Sequence, residues 1–491
     1  MDLYKVLKDQ FGFEQFRPGQ EAVISHVLAG NDTIAILPTG MGKSLCYQLP
    51  AYLLSGTVLI VSPLVALMED QVAIMKKNGE KRVVALNSFL THREKNRMIG
   101  DLAKYKFIFI SPEMLGRHQV LQQLRAIDLA LIVVDEAHCV SQWGFDFRPD
   151  YLRIGTFFQG LKRPVILALT ATADDKVTND IRSYLQLTSP VIHRESVDRP
   201  NISYNMLQVD NDAEKTEWIK TRLLSTTGPG IIYVSSRKRA DTLAGVLQES
   251  GIAAAAYHAG KGQEDRAFIQ EQFINGELSW ICATNAFGMG IHKDDIRQVI
   301  HEHIPATIAG YVQEVGRAGR DGKQSVVTLL HAPEDIPKTR FIMQDDIPQE
   351  EEIRYYEKLL GENKQADEAA EWARISETGK RIIDYYRERM SLKEVIAQMR
   401  ELIRDKERQL EQMVRIVHTE QCVREQLLAY FGERKTWQPE FCCSNCDHAQ
   451  PLLEKSLVMP NSTKTLMSWE ERLNLLLVRQ IDWKEAGTGQ K

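Results

Sequence analysis

The residues equipped for chemistry begin at Leu37 to Leu49, LPTGMGKSLCYQL. An apolar run, DTIAIL, leads into the glycine-rich turn PTGMG, and KSLCYQLPAYLL opens a helix behind it. Backbone N–H groups in such a turn, with the positive end of the helix dipole, surround a pyrophosphate. Pro38, Thr39, Gly40, Met41 and Gly42 would form the cradle, Lys43 would reach the β and γ phosphates, and the Ser44 hydroxyl would hold Mg²⁺. The pattern departs from its general form at its first position, where Leu37 stands in place of glycine. Asp135 and Glu136 emerge together from the run LALIVV. Asp135 suits the Mg²⁺ shell, and Glu136 can orient and deprotonate a water attacking the γ-phosphate. The competing reading is a pair of surface carboxylates closing a strand.

Four other groups carry two readings each. Gln20 offers a paired donor and acceptor that match the N6 and N7 edge of adenine, with Arg17 and nearby phenylalanines able to cover the base; otherwise LKDQFGFEQFRPGQ is a helix-packing segment. In SQWGFDFRPDY, Trp143, Phe145 and Arg148 either stack nucleobases and grip phosphate or fold into the core. YVQEVGRAGRDG places Gln313, Arg317 and Arg320 in a glycine-rich setting, where the arginines either reach across a cleft to a γ-phosphate or sit idle on the surface. Of seven cysteines, Cys422, Cys442, Cys443 and Cys446 lie close together, which points to metal before disulfide in a chain without an export signal.

These groups need elements to hold them. GTVLIVSP, KFIFISP, AIDLALIVV and PVILALTATA are β-branched runs that end in polar residues, with helical patterns between, the signature of a parallel sheet wound with helices. From about Val197 the pattern starts again without a phosphate loop, in GIIYVSS, GIAAAAYHAG, SWICATN, RQVIHEHIP and QSVVTLLHAP. A chain of 491 residues has length for two or three domains, and 43% apolar with 26% charged residues is the composition of a soluble globular protein. A net charge of −5 argues against coating nucleic acid by bulk electrostatics, though not against a local basic groove. No run approaches the ~18 apolar residues of a membrane span, and MDLYKVLKDQ lacks the apolar core of a signal peptide, so the expectation is a cytoplasmic protein with no membrane partner.

Taken in order, LKDQFGFEQFRPGQ, LPTGMGKS, VSPLVALMEDQ, ISPEML, VVDEAHCVSQWGFDFRPDY, ALTATA, VDRPNI, ATNAFGMGIHKDDIR and QEVGRAGRDG resemble the superfamily 2 helicases, and specifically the RecQ family, over about residues 1 to 335. The resemblance implies an α/β fold of two tandem RecA-like lobes, at 1–196 and 197–335, that binds ATP between them and separates DNA strands 3′ to 5′. It implies that Arg17 and Gln20 meet the adenine, that Arg317 and Arg320 are the arginine finger and its neighbour, and that Gln313 places the attacking water. His138, Thr170 and Thr172 would relay cleft closure to the DNA side, and Trp143, Phe145 and Arg148 would couple single-stranded DNA to hydrolysis. Ser62, Asn87 and Thr284, at strand ends or loops, are expected on the DNA backbone. The partners implied are single-stranded and branched or tailed duplex DNA in the nucleoid, together with a single-stranded DNA-binding protein.

Beyond Pro333 the chain turns helical and acidic, and a segment at 336–420 is expected to bury its helices against the second lobe or each other. Within it Leu392, Val395, Met399, Leu402, Leu410, Met413 and Val417 form one stripe, opened by a capping box of Ser391 and Glu394. The block at 421–450, with its YFGE run, resembles the RecQ zinc-binding module. Cys422 and Cys446 fit the family pattern; Cys442 or Cys443 gives a third ligand to Zn²⁺, and the fourth is the other of that pair, His448, or absent, because Ala449 stands where the family has its last cysteine. A tail, 451–491, completes the chain; the 45 residues after Cys446 (491 − 446) are expected to be too few for both further C-terminal domains common in the family.

Overall fold

A computed structural model describes residues 2–87, 90–141, 148–158, 164–284, 287, 293–446 and 453. The buried β-branched runs become strands because a sheet covered on both faces needs apolar residues at every position rather than at alternate ones. In the first lobe they are β1 (Thr33–Ile36), β2 (Thr57–Val61), β3 (Val83–Leu86), β4 (Phe107–Ile110), β5 (Leu129–Val134), β6 (Val165–Thr170) and β7 (Val191–Arg194). Every pairing is parallel, in the order β3-β4-β2-β5-β6-β1-β7. The second lobe holds β8 (Ile202–Gln208), β9 (Gly230–Tyr233), β10 (Ala254–Tyr257), β11 (Trp280–Ala283), β12 (Gln298–His301) and β13 (Ser325–His331), also parallel, in the order β10-β11-β9-β12-β13-β8. Thus the two wound sheets expected from the sequence are present. The short β3, the partly exposed β7 and β8 lay outside the runs singled out there.

Parallel order places functional loops at strand ends. Because β6 lies between β1 and β5, the loops after these three strands are neighbours at the carboxyl edge of the first sheet, where such sheets bind ligands. One face of that sheet packs on Val23, Val27, Tyr47, Met68 and Val72 of the helices Gln20–Leu28, Leu45–Leu53 and Val65–Lys77.

The other face holds a departure from expectation. Ile353, Tyr356 and Leu359 of helix Glu350–Gly361, Ala369 of Ala366–Trp372, Ile382 and Ile383 of Glu377–Arg387, and Val395, Met399 and Leu402 of the long helix Leu392–Val417 share one core with Ile132, Val134 and Ile154. These helices therefore pack on the first lobe as well as on each other, and Arg381 pairs with Asp150 (3.2 Å) and Glu113 (3.4 Å) there. The second half of the long helix, Leu410, Met413, Ile416 and Val417, joins the core of the second lobe. At 26 residues the helix extends about 39 Å, enough to span both lobes. The capping box forms as expected, with the Glu394 carboxylate accepting from Ser391 N (2.7 Å).

A two-lobed candidate nucleotide site and a four-cysteine cluster

The phosphate loop turns between β1 and helix Leu45–Leu53 with Gly40 and Gly42 in the left-handed region, φ 89° and 69°, which a side chain would strain. Lys43 Nζ lies 3.8 Å from Glu136 Oε1, so the phosphate-loop lysine and the candidate water-activating carboxylate face one space. Glu136 adopts φ 46° and ψ 48°, a conformation that costs a β-carbon residue about 1–3 kcal/mol and is tolerated where the surroundings fix it. The surroundings are explicit: Glu136 Oε2 is 3.4 Å from His138 Nδ1, His138 Nδ1 is 3.0 Å from Thr170 Oγ1, and Thr170 donates to the Thr172 carbonyl (3.1 Å). The three residues expected to relay cleft closure, His138, Thr170 and Thr172, thus form one continuous chain with Glu136. Asp135 accepts from the Glu136 backbone N–H at 3.0 Å.

Electrostatics separates the two acids. Burial, followed by the adjacent Glu136 charge, raises the Asp135 carboxyl well above the usual range, against the pull of Lys43. Burial would raise Glu136 too, but Lys43, His138 and Arg317 together bring it below its ordinary value. Arg317 belongs to the other lobe, so the second sheet already acts on the first lobe's carboxylate.

That reach comes from the loop after helix Ile308–Val315. Thr39 of the phosphate loop donates to the Gly316 carbonyl at 2.9 Å, and a β-carbon on Gly40 would lie 3.1 Å from Arg320 Cγ. Burial and then the nearby Arg317 charge hold the Arg320 guanidinium down at about 10. Gln313 is buried on the same helix, in a small crevice with Pro38, Thr39 and Thr172. Gln20 is buried too, and its amide is committed to the loop: Nε2 donates to Met41 O (2.8 Å) and Gly42 O (3.0 Å), and Oε1 accepts from Arg17 N (2.9 Å). Arg17 donates to the Gly40 carbonyl. Contact of Gln20 with a base requires it to exchange those carbonyls for the ring.

The residues expected on DNA gather elsewhere. Arg148, which donates to Pro63 O (2.8 Å), and Thr284 line a cavity of about 610 Å³ together with Glu113, His303, Arg381 and Lys406, where the two lobes meet the helical segment. Ser62 and Asn87 are buried at the ends of β2 and β3, and Asn87 donates to Glu69. Trp143 and Phe145 lie outside the described residues.

The sulfurs of Cys422, Cys442, Cys443 and Cys446 all lie within 4.8 Å of one another. A tetrahedral zinc with bonds near 2.3 Å sets its sulfurs roughly 3.8 Å apart, so the donor set fits Zn²⁺. Both cysteines of the neighbouring pair lie within the cluster, so four thiols are at hand without Ala449; His448 lies outside the described residues. The hydrogen bond with Cys422, then burial, pushes the Cys443 thiol up to about 12, a proton that zinc binding would displace. Lys435 Nζ donates to Cys422 Sγ (3.5 Å), and burial raises the Cys442 thiol against the opposing pull of the Arg424 guanidinium, so two cations stand where a doubly negative Zn(Cys)₄ centre would need them.

The sequence reading assigned no role to Arg199, Arg424 or Glu433. Their only signal was position: VDRPNI stands between two wound lobes, Arg424 lies on the helix Val423–Tyr430 that leads into the YFGE run, and Glu433 closes that run.

Comparison with known proteins agrees with this organisation. Residues 17–181 match the family model for DEAD/DEAH box helicases, 214–322 the helicase conserved C-terminal domain, and 384–449 RecQ zinc-binding. The chain is 41% identical to the probable ATP-dependent DNA helicase RecS of Bacillus subtilis, over 97% of this chain and 98% of that one. It is 33% identical to the ATP-dependent DNA helicase RecQ of the same organism, over 97% of this chain and 72% of that one. Among solved structures, Mycobacterium smegmatis Lhr bound to single-stranded DNA and AMP-PNP aligns with a TM-score of 0.55 at 24% identity, covering 69% of this chain and 49% of that one. Saccharomyces cerevisiae Dbp5 bound to RNA and ADP–BeF₃ aligns with a TM-score of 0.56 at 20% identity, covering 70% and 90%. These two likenesses establish the shared fold. Among the described residues no helix is long and apolar enough to cross a membrane.

Proposed function

Because this chain belongs to the RecQ family of ATP-dependent DNA helicases, we propose that it hydrolyses ATP between its two lobes and uses the cycle to separate DNA strands in the 3′ to 5′ direction, in repair, recombination or the processing of stalled forks. The observation that carries the proposal is that Arg317 and Arg320 of the second lobe already bear on Glu136 and the phosphate loop of the first.

In this reading the N–H groups of residues 38–42 and Lys43 bind the triphosphate, with Arg17 and Gln20 at the adenine end. Ser44 and Asp135 are the residues that would hold Mg²⁺, which supplies charge neutralisation on the phosphates. Glu136, kept ionised by Lys43, His138 and Arg317, accepts the proton of the attacking water while Gln313 orients it. Arg320, with Arg317, takes up charge that develops on the transferring phosphoryl group, a contribution of roughly 10³–10⁵ in rate where it is supplied by an arginine finger. His138, Thr170 and Thr172 transmit the state of Glu136 toward the strand-binding side, where Arg148, Thr284, Ser62, Asn87 and the aromatics Trp143 and Phe145 meet the backbone and bases. Loss of the γ-phosphate removes the charge that draws Arg320 and Lys43 together, so the lobes part and the grip on the strand alternates.

The substrates are single-stranded DNA and tailed or branched duplexes within the nucleoid, shared with a single-stranded DNA-binding protein. The net charge of −5 favours such local strand contacts over bulk attraction. Cys422, Cys442, Cys443 and Cys446 would hold Zn²⁺, which when bound would tie down a loop with little apolar material of its own.

The test is ATP hydrolysis with and without single-stranded DNA for wild type and Lys43→Ala, followed by strand separation on duplexes with a 3′ or a 5′ tail. The proposal expects hydrolysis stimulated by DNA, abolished by Lys43→Ala, and unwinding from the 3′ tail only. RNA-stimulated but DNA-indifferent turnover, hydrolysis without strand separation, or negligible turnover would each overturn it.

A further inference from the structure

The linker joining β7 to β8 carries an arginine that none of the steps above uses. Resting on the ATPase reading, we propose that Arg199 is a positioning residue for hydrolysis: it holds the loop that presents Arg317 and Arg320, and Arg424 of the cysteine-cluster module holds Arg199 in turn.

The need for such a residue follows from the direction of a helix. Ile308–Val315 ends at Gly316, with its carboxyl end toward the phosphate loop. The last carbonyls of a helix have no partner within it and carry a partial negative charge, the wrong sign to face a triphosphate. Arg199 donates to the cap carbonyl and to those of the turn that follows it. Its Nη1 donates to Gly316 O at 3.0 Å, and its Nη2 to Ala318 O at 3.1 Å and Gly319 O at 2.7 Å. A planar guanidinium can address several carbonyls at fixed angles, which an ammonium cannot. The bonds bracket Arg317 and immediately precede Arg320, so they fix the path of the segment from which both side chains project. The same Nη1 lies 3.5 Å from Thr39 O, and a β-carbon at Gly316 would fall 2.2 Å from Thr39 Oγ1. One cation therefore registers the arginine loop of one lobe against the phosphate loop of the other.

The backbone of Arg199 is itself held from behind. Arg424, 1% exposed and 5.0 Å over the Tyr204 ring, donates Nη1 to Arg199 O at 3.1 Å, pairs with Asp198, and donates Nη2 to Ile202 O. Glu433 accepts from Ser196 Oγ and from Val197 N (3.1 Å), and Phe431 O accepts from Arg194 at 3.4 Å. The helix Val423–Tyr430, which begins beside Cys422, thus splints the linker on one side while Arg199 works on the other.

The experiment uses the full-length, zinc-loaded protein with Arg199→Ala, Arg199→Lys and Arg424→Lys, beside wild type and Lys43→Ala. It measures DNA-stimulated kcat and KM for ATP, binding of fluorescent ADP with and without aluminium fluoride, melting temperature and zinc content. Because a small misplacement of a catalytic group is expensive, Arg199→Ala should lower kcat about 10²-fold. KM, ADP affinity and zinc content should stay close to wild type and the melting temperature should fall only slightly, while the tightening of ADP by aluminium fluoride is lost. Arg199→Lys should recover part of kcat, and Arg424→Lys should give a loss that does not multiply with that of Arg199→Ala. A normal kcat in Arg199→Ala with Lys43→Ala inactive overturns the inference alone, and so does equal weakening of ADP and ADP–aluminium fluoride, whatever the melting temperature. Wild-type turnover in Lys43→Ala overturns the ATPase reading instead.

Discussion

The two lobes are built on the same parallel wound sheet, yet they meet the candidate nucleotide site with opposite edges. The first offers the carboxyl ends of β1, β5 and β6, where a helix begins behind the phosphate loop and backbone N–H groups point outward. The second offers the amino side of β12 and β13: Gly319 N donates to Ile296 O, just before β12, and the arginine loop runs straight into β13. There a helix ends rather than begins, so its backbone presents carbonyls. An anion can be met at that edge only by side chains; Arg199 occupies the carbonyls, while Arg317 bears on Glu136 and Arg320 lies against the phosphate loop. The same architecture thus makes a binding surface in one orientation and a scaffold for cationic side chains in the other.

This asymmetry predicts unequal lesions. Arg320→Ala should cause the largest loss, about 10³-fold or more in kcat, with nucleotide binding little changed, because the second lobe contributes chiefly to the transition state. Steady-state kinetics with equilibrium binding of an ATP analogue checks it, and a matching collapse of binding would break the division of labour. Next, Glu136→Gln should lower kcat by about 10²–10⁴-fold while ATP stays bound. If instead it hydrolyses normally, the base lies elsewhere on the first lobe.

Removing zinc acts behind both edges. Chelation, or Cys446→Ser, should destabilise the chain by on the order of several kcal/mol, since metal binding here is coupled to folding of the cysteine loop. Thermal melting with colorimetric release of zinc measures this, and hydrolysis should fail at a lower chelator exposure than the unfolding of the first lobe.

Gln20→Ala tests the outer end of the first lobe. Losing its hydrogen bonds, worth about 1 kcal/mol each, should raise KM for ATP several-fold and blunt the preference for ATP over GTP. The smallest effect belongs to the helical segment: Arg381, part-exposed between Asp150 and Glu113, should cost about 0–1 kcal/mol when changed to Ala. A large loss of coupling between hydrolysis and unwinding would show that this contact helps to join the lobes.

Legibility in the sequence followed the range of the forces involved. The phosphate loop was readable because strand, glycine turn and helix are consecutive and each is chosen locally. The long helix announced its stripe and its capping box for the same reason. The packing of its first half on the first lobe was not readable, because an apolar stripe states that a face is buried but not against what. Trp143 and Phe145 carried an aromatic signal without a position, and Cys442 and Cys443 carried thiols without a geometry until their loop folded beside Cys422.

By itself the sequence determined the chemistry each segment can perform: phosphate binding from PTGMGKS, paired acids after β5, arginines in a glycine-rich loop, and thiols at metal spacing. Tertiary structure alone decided which of these meet. Lys43 and Glu136, His138 and Thr170, Thr39 and Gly316, and Arg199 and Arg424 are brought together by strand order and by a linker folded back on its neighbour. Local propensity acts over a few residues, whereas the register of two sheets and the direction in which a helix ends are settled only when distant apolar faces close on one another.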